Sequence, residues 1–68
     1  MKSVIMQVRI IPGTPIRQAV FDLISLSQEM DCMIEASAQG EGVVLHILPT
    51  TTQDQAEQML AERVGSTL

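Results

Sequence analysis

The residue types best suited to act as general base and as nucleophile occur once each in this sequence: His46, the single histidine, and Cys32, the single cysteine. His46 falls between two apolar residues, and no serine or cysteine nucleophile is obviously paired with it. Cys32 falls on the apolar side of its strand and is expected to be a small buried hydrophobe. We therefore expect no catalytic site and predict that the protein is not an enzyme.

The acidic residues do not form a metal site. They occur singly, and the closest pairs, Glu29 with Asp31 and Asp54 with Glu57, fall at helix ends where solvated carboxylates are common. One cysteine and one histidine cannot build a zinc cage. The sequence also lacks a phosphate loop and a dinucleotide fingerprint. We expect neither a metal nor a cofactor.

The segment 12–17 could bind an anion. It places Gly13, the Thr14 hydroxyl and Arg17 at the start of a predicted helix, where backbone N–H groups and the helix dipole favour negative charge. The same residues also fit an ordinary helix start, with Thr14 as N-cap and Pro15 in the first turn. Anion or small-metabolite sensing is an alternative function on this ground.

Composition excludes several classes of partner. The chain has 68 residues, a net charge of −4 and one aromatic residue, Phe21, so it lacks the basic surface and stacking platforms of nucleic-acid binding. No stretch approaches the about 18 apolar residues of a membrane span, and residues 1–9 do not resemble a signal peptide. The lone cysteine fits a reducing compartment, so we expect a cytoplasmic protein.

Hydrophobic periodicity predicts five elements. Alternation indicates strands at 3–11, 31–38 and 43–48, with Gly40 and Gly42 in a hairpin turn between the last two. A helix is expected from Pro15 to about 28–30, and a second one after a capping box at 52–55, with Gly65 as its stop and residues 66–68 as a frayed end. The predicted inner stripe of the second helix is Ala56, Met59, Leu60, Arg63 and Val64.

The order βαββα predicts one α+β domain over residues 1–68. A right-handed crossover makes the first two strands parallel, and the hairpin makes the third antiparallel to the second. The compact solution places the third strand between the others. We therefore predict a two-layer sandwich with a three-stranded mixed sheet of order 1-3-2 and both helices on one face.

This architecture predicts a protein partner. A domain of this size buries only about 60% of its unfolded surface, and neither a disulfide nor a zinc site is available to stabilise it. Both sheet edges are open, and the face away from the helices carries apolar residues among polar ones. We expect a homodimer or an accessory subunit that associates through an edge or this face. The interface residues predicted are Ile5, Gln7, Arg9, Ile11, Met33, Val44, His46 and Leu48.

The segment around the first helix start resembles the histidine-containing phosphocarrier protein (HPr) family. Gly13, Arg17 and Ala19 match the family motif, and residues 42–64 look like its last strand and helix. Pro15 stands where the family has its phosphoacceptor histidine, Gln18 stands where it usually has proline, and one strand and one short helix of the family are missing. The resemblance therefore implies a docking surface without phosphotransfer.

The element order also resembles ferredoxin-like modules, such as ACT domains and the NapD-type chaperones that bind twin-arginine leader peptides. These modules usually end with a fourth strand beside the first, which this chain lacks. The resemblance implies a regulatory domain, or a peptide-binding chaperone or accessory subunit, with the edge of the first strand exposed.

Overall fold

The computed structural model describes residues 1–64, in which three strands and two helices follow one another in the predicted order. The elements are β1 (Ile5–Arg9), α1 (Ile16–Met30), β2 (Met33–Ala38), β3 (Gly42–Ile47) and α2 (Gln53–Val64). This confirms the α+β class and the order βαββα. The predictions for Gly65, for residues 66–68 and for the side chain of Val64 lie outside the described part.

Local sequence signals account for how both helices are bounded. At the start of α2, Thr52 and Gln55 form the predicted capping box: Thr52 N–H donates to Gln55 Oε1 and Gln55 N–H donates to Thr52 Oγ1, each at 3.3 Å. At the end of α1, Asp31 takes a left-handed conformation with φ 52°, which turns the chain into β2. There Ser27 Oγ donates to the Cys32 carbonyl at 2.7 Å.

The strands lie in the order β1-β2-β3, and this replaces the predicted order 1-3-2. β1 pairs directly with β2 in a parallel orientation, and β3 pairs with the other side of β2 in an antiparallel orientation. Both orders bury the same alternate side chains, so the sequence pattern does not distinguish them. The central strand is thus β2, and the edges of the sheet are β1 and β3.

The core is one cluster of buried side chains with members from β2, β3 and both helices. On β2, Ile34, Ala36 and Ala38 are buried, while the intervening residues are half-buried. The helices add Ile16, Ala19, Val20, Leu23, Ala56 and Leu60 to the same cluster. Met59 and Arg63, which were predicted to face inward from α2, are exposed instead.

Candidate functional site

A row of three polar residues crosses the face of the sheet opposite to the core, which we call the outer face. Gln7 on β1 pairs with Glu35 on β2, and Glu35 pairs with His46 on β3. Gln7 Nε2 donates to Glu35 Oε1 at 3.1 Å, and His46 Nε2 lies 3.3 Å from Glu35 Oε2. Because β2 is the central strand, Glu35 holds both neighbours, so its carboxylate organises the row.

Apolar and polar residues flank this row on the outer face. Ile5 pairs with Met33 on one side of it, and Leu48 follows the end of β3. Ile5 is exposed, whereas Met33 and Leu48 are half-buried. On the other side, Arg9 pairs with Ser37. Five of the other predicted interface residues therefore share the outer face with Gln7: Ile5, Arg9, Met33, His46 and Leu48.

Val44 does not lie on the outer face as predicted. It is 4% exposed and belongs to the core, whereas its neighbour Val43 is 44% exposed. The cause is a β-bulge: Leu45 pairs with Ala36 and Val43 pairs with Ser37, so Val44 is an additional residue in β3. The bulge reverses the alternation at one end of the strand, which exchanges the positions of the two valines.

A groove runs between the edge of β1 and helix α1. Its floor and walls are mainly apolar, and Arg9, Thr14 and Asp22 contribute polar groups. The apolar lining residues are Val8, Ile10, Ile11, Ala19, Leu23 and Leu26. Ile11, a predicted interface residue, is 76% exposed here. The groove was not predicted from the sequence. The feature that could have indicated it is Leu26, which widens the apolar stripe of α1 beyond a simple core-facing pattern.

The predicted anion segment has its hydroxyl occupied. Thr14 Oγ1 donates to the Ile11 carbonyl at 2.6 Å, and the N-cap of α1 is Pro15, with no side-chain hydrogen bond to the cap. Thr14 is therefore a turn residue and not the predicted cap. Gly13 adopts φ 87°, as the turn requires. Arg17 is exposed and lines a pocket with Phe21 and Gln53, among others, which includes neither Gly13 nor Thr14. Within residues 1–63, every buried side-chain N or O has a partner, so no orphaned group indicates a ligand.

The two residues with nucleophilic or acid–base chemistry lie on opposite sides of the sheet. Cys32 is 3% exposed in the core, as predicted, while the side chain of His46 is 53% exposed on the outer face. They cannot act on a common substrate. No group of three or more potential metal ligands is found in the described part of the chain.

Comparisons with known proteins give no relative: no family model matches the chain, and neither a curated protein nor a solved structure is similar to it. None of the helices within residues 1–64 is long and apolar enough to cross a membrane.

Proposed function

We propose that this chain is a non-enzymatic, cytoplasmic binding or regulatory module that acts by associating with another protein chain. The interface consists of the open edge of β1 and the adjoining part of the outer face. In this proposal both helices cover one face of the sheet as a second layer, so the outer face is left to a partner. An HPr-like docking surface without phosphotransfer and a ferredoxin-like accessory subunit are both consistent with it.

The concentration of exposed apolar side chains at β1 carries the proposal. Met1, Val4, Ile5 and Ile11 are 68%, 61%, 54% and 76% exposed, and all belong to β1 or its flanks. Isolated exposed apolar residues need no explanation, but several of them along one open strand edge are characteristic of an interaction site.

The polar row provides the specificity that an apolar edge lacks. Gln7, Glu35 and His46 already have a fixed hydrogen-bonded arrangement, so a partner meets an ordered surface. Ordered polar groups contribute to partner choice, since a partner that disrupts their mutual hydrogen bonds without replacing them binds less tightly. Size supports the same conclusion, because a domain of 68 residues without a disulfide gains stability from association.

Sedimentation velocity from micromolar to hundreds of micromolar protein tests the proposal. We compare the wild type with Ile5→Lys, which places a charge at the proposed interface, and with Val43→Lys as the matched control. Both residues are about half exposed on strands, but Val43 lies on β3, away from the β1 edge. Association should be lost in Ile5→Lys and kept in Val43→Lys.

Association with a different protein is tested in the same pair of variants. The immobilised chain should retain a defined partner in a manner that depends on Ile5 and not on Val43, with cross-links that map to β1. A chain that stays monomeric at every concentration and retains no protein in an Ile5-dependent manner would show that the proposal is wrong.

A further inference from the structure

We infer that the partner at the β1 edge is a second copy of this chain, whose β1 pairs with the first in antiparallel about a two-fold axis at Gln7. This inference rests on the proposed function and specifies its partner. The product is a continuous six-stranded sheet, in which each copy covers the open edge of the other.

The structure of the two edges distinguishes β1 from β3. β1 pairs with β2 over Ile5–Arg9 without a register shift, whereas β3 contains the bulge at Val44 and is followed by Pro49. Bulges and prolines are the devices by which proteins prevent another strand from adding to an edge. A proline follows each strand by two or three residues, but only β3 contains a bulge within the strand, so β1 is the edge suited to strand addition.

The outward backbone groups of β1 are self-complementary. Ile10 N–H donates to the Ser37 carbonyl at 2.8 Å and the Val8 carbonyl accepts from Ser37 Oγ, so even-numbered residues direct their backbone groups towards β2. Ile5, Gln7 and Arg9 consequently direct theirs away from the sheet. With the axis at Gln7, Ile5 meets Arg9 of the second copy and Gln7 meets its equivalent, so all three residues form hydrogen-bonded pairs.

The same register avoids repulsion between like charges. Arg9 lies opposite Ile5 of the second copy rather than opposite a second Arg9, as it would in a register centred on Arg9.

An exposed valine fits the apolar groove of the second copy. Val4 precedes β1 and is 61% exposed, and strand alternation puts it on the helix side with Met6 and Val8. With the axis at Gln7, Val4 lies opposite Ile10 of the second copy, at the groove between β1 and α1. Met6 then meets Val8. Val4 at one end of β1 in each copy thus enters the groove at the other end of β1 in the second copy, and the two-fold symmetry repeats this contact.

The dimer also extends the polar row. Because Gln7 meets Gln7, the rows of the two copies join into one line of six residues, with Gln7, Glu35 and His46 repeated about the axis. This line crosses the whole outer face and gives the dimer a symmetric, hydrogen-bonded surface that neither copy has alone.

Oxidative cross-linking of introduced cysteines tests the register. Cys32 is buried, so the wild-type chain is the background control and should not cross-link. Gln7→Cys should form a disulfide-linked dimer roughly tenfold faster than Ile5→Cys or Arg9→Cys alone, because only residue 7 faces itself within disulfide reach. A mixture of Ile5→Cys and Arg9→Cys chains should cross-link as heterodimers, which mass spectrometry identifies.

Amide hydrogen exchange of the wild-type chain provides a second readout that needs no substitution. Protection of the Ile5, Gln7 and Arg9 amides should rise with protein concentration. Two results would overturn the inference while leaving the proposed function intact. One is rapid self-linking of Ile5→Cys or Arg9→Cys. The other is amide protection that does not depend on protein concentration although the chain still associates. A monomeric chain whose β1 edge binds only a different protein would also overturn it, whereas the absence of any Ile5-dependent association refutes both.

Discussion

The imidazole Nε2 of His46 lies 3.3 Å from Oε2 of Glu35, on the strand next to it in the sheet. The same carboxylate accepts a hydrogen bond from Gln7 at its other oxygen, so one central acidic residue connects all three strands. Glu35 is only 23% exposed in its side chain, whereas His46 is 53% exposed. The pair is therefore a surface contact with one partly shielded partner.

We expect the direct coupling between Glu35 and His46 to be small. In a double-mutant cycle of Glu35→Ala and His46→Ala, the interaction free energy should be under about 1 kcal/mol, because solvent screens a pair exposed to this extent. Urea unfolding of the wild type and the three variants of the cycle measures it. Glu35→Gln is the control that keeps an acceptor for Gln7 while removing the charge. A coupling of several kcal/mol would mean that the pair is far less solvated than its exposure indicates.

The two valines at the bulge should differ sharply in their contribution to stability. Val44→Ala removes buried methyl groups and should lower the free energy of unfolding by about 1–3 kcal/mol. Val43→Ala, the adjacent and exposed position, should change it by less than about 0.5 kcal/mol. Chemical denaturation measures both values. Equal effects at the two positions would argue against the bulge that exchanges their faces.

Ser27 should be important for the connection between α1 and β2, although it is a polar residue in an apolar stripe. It is fully buried, and its Oγ donates to the Cys32 carbonyl at 2.7 Å. Ser27→Ala leaves that carbonyl without this donor and should destabilise the fold by about 1–2 kcal/mol. Ser25→Ala, at an exposed position of the same helix, should be close to neutral. If thermal unfolding gave the same midpoint for both variants, the hydrogen bond would have no net stabilising role.

Much of the local structure could be predicted because it depends on nearby residues. The capping box at Thr52 and Gln55 is a sequence pattern four residues long, and the hydrogen bonds confirm it. Alternation in β2 correctly predicted that Cys32, Ile34, Ala36 and Ala38 are buried. β1 covers only Ile5–Arg9 of its predicted range, and the apolar residues Val4 and Ile11 beyond its ends are exposed.

The candidate site was only partly predictable. Gln7, Glu35 and His46 could each be placed on the outer face from strand period alone. Their order across the sheet could not be predicted in the same way, because the predicted strand order 1-3-2 would have put His46 in the middle of the row. The actual order gives that place to Glu35, which changes an imidazole-centred surface into a carboxylate-centred one.

The amino-acid order was sufficient for much of what a few neighbouring residues control: the order and approximate positions of the elements, the capping box of α2 and the buried side of β2. It was not sufficient for the cap of α1 or for the buried side of β3 at the bulge. Folding in three dimensions settled which strands are neighbours, where β3 takes up its additional residue, and that a groove opens between β1 and α1. These features depend on contacts between residues far apart in the chain, and several pairings bury the same apolar side chains equally well. Local patterns cannot choose among such alternatives, because their free energies differ only through the packing of the complete core.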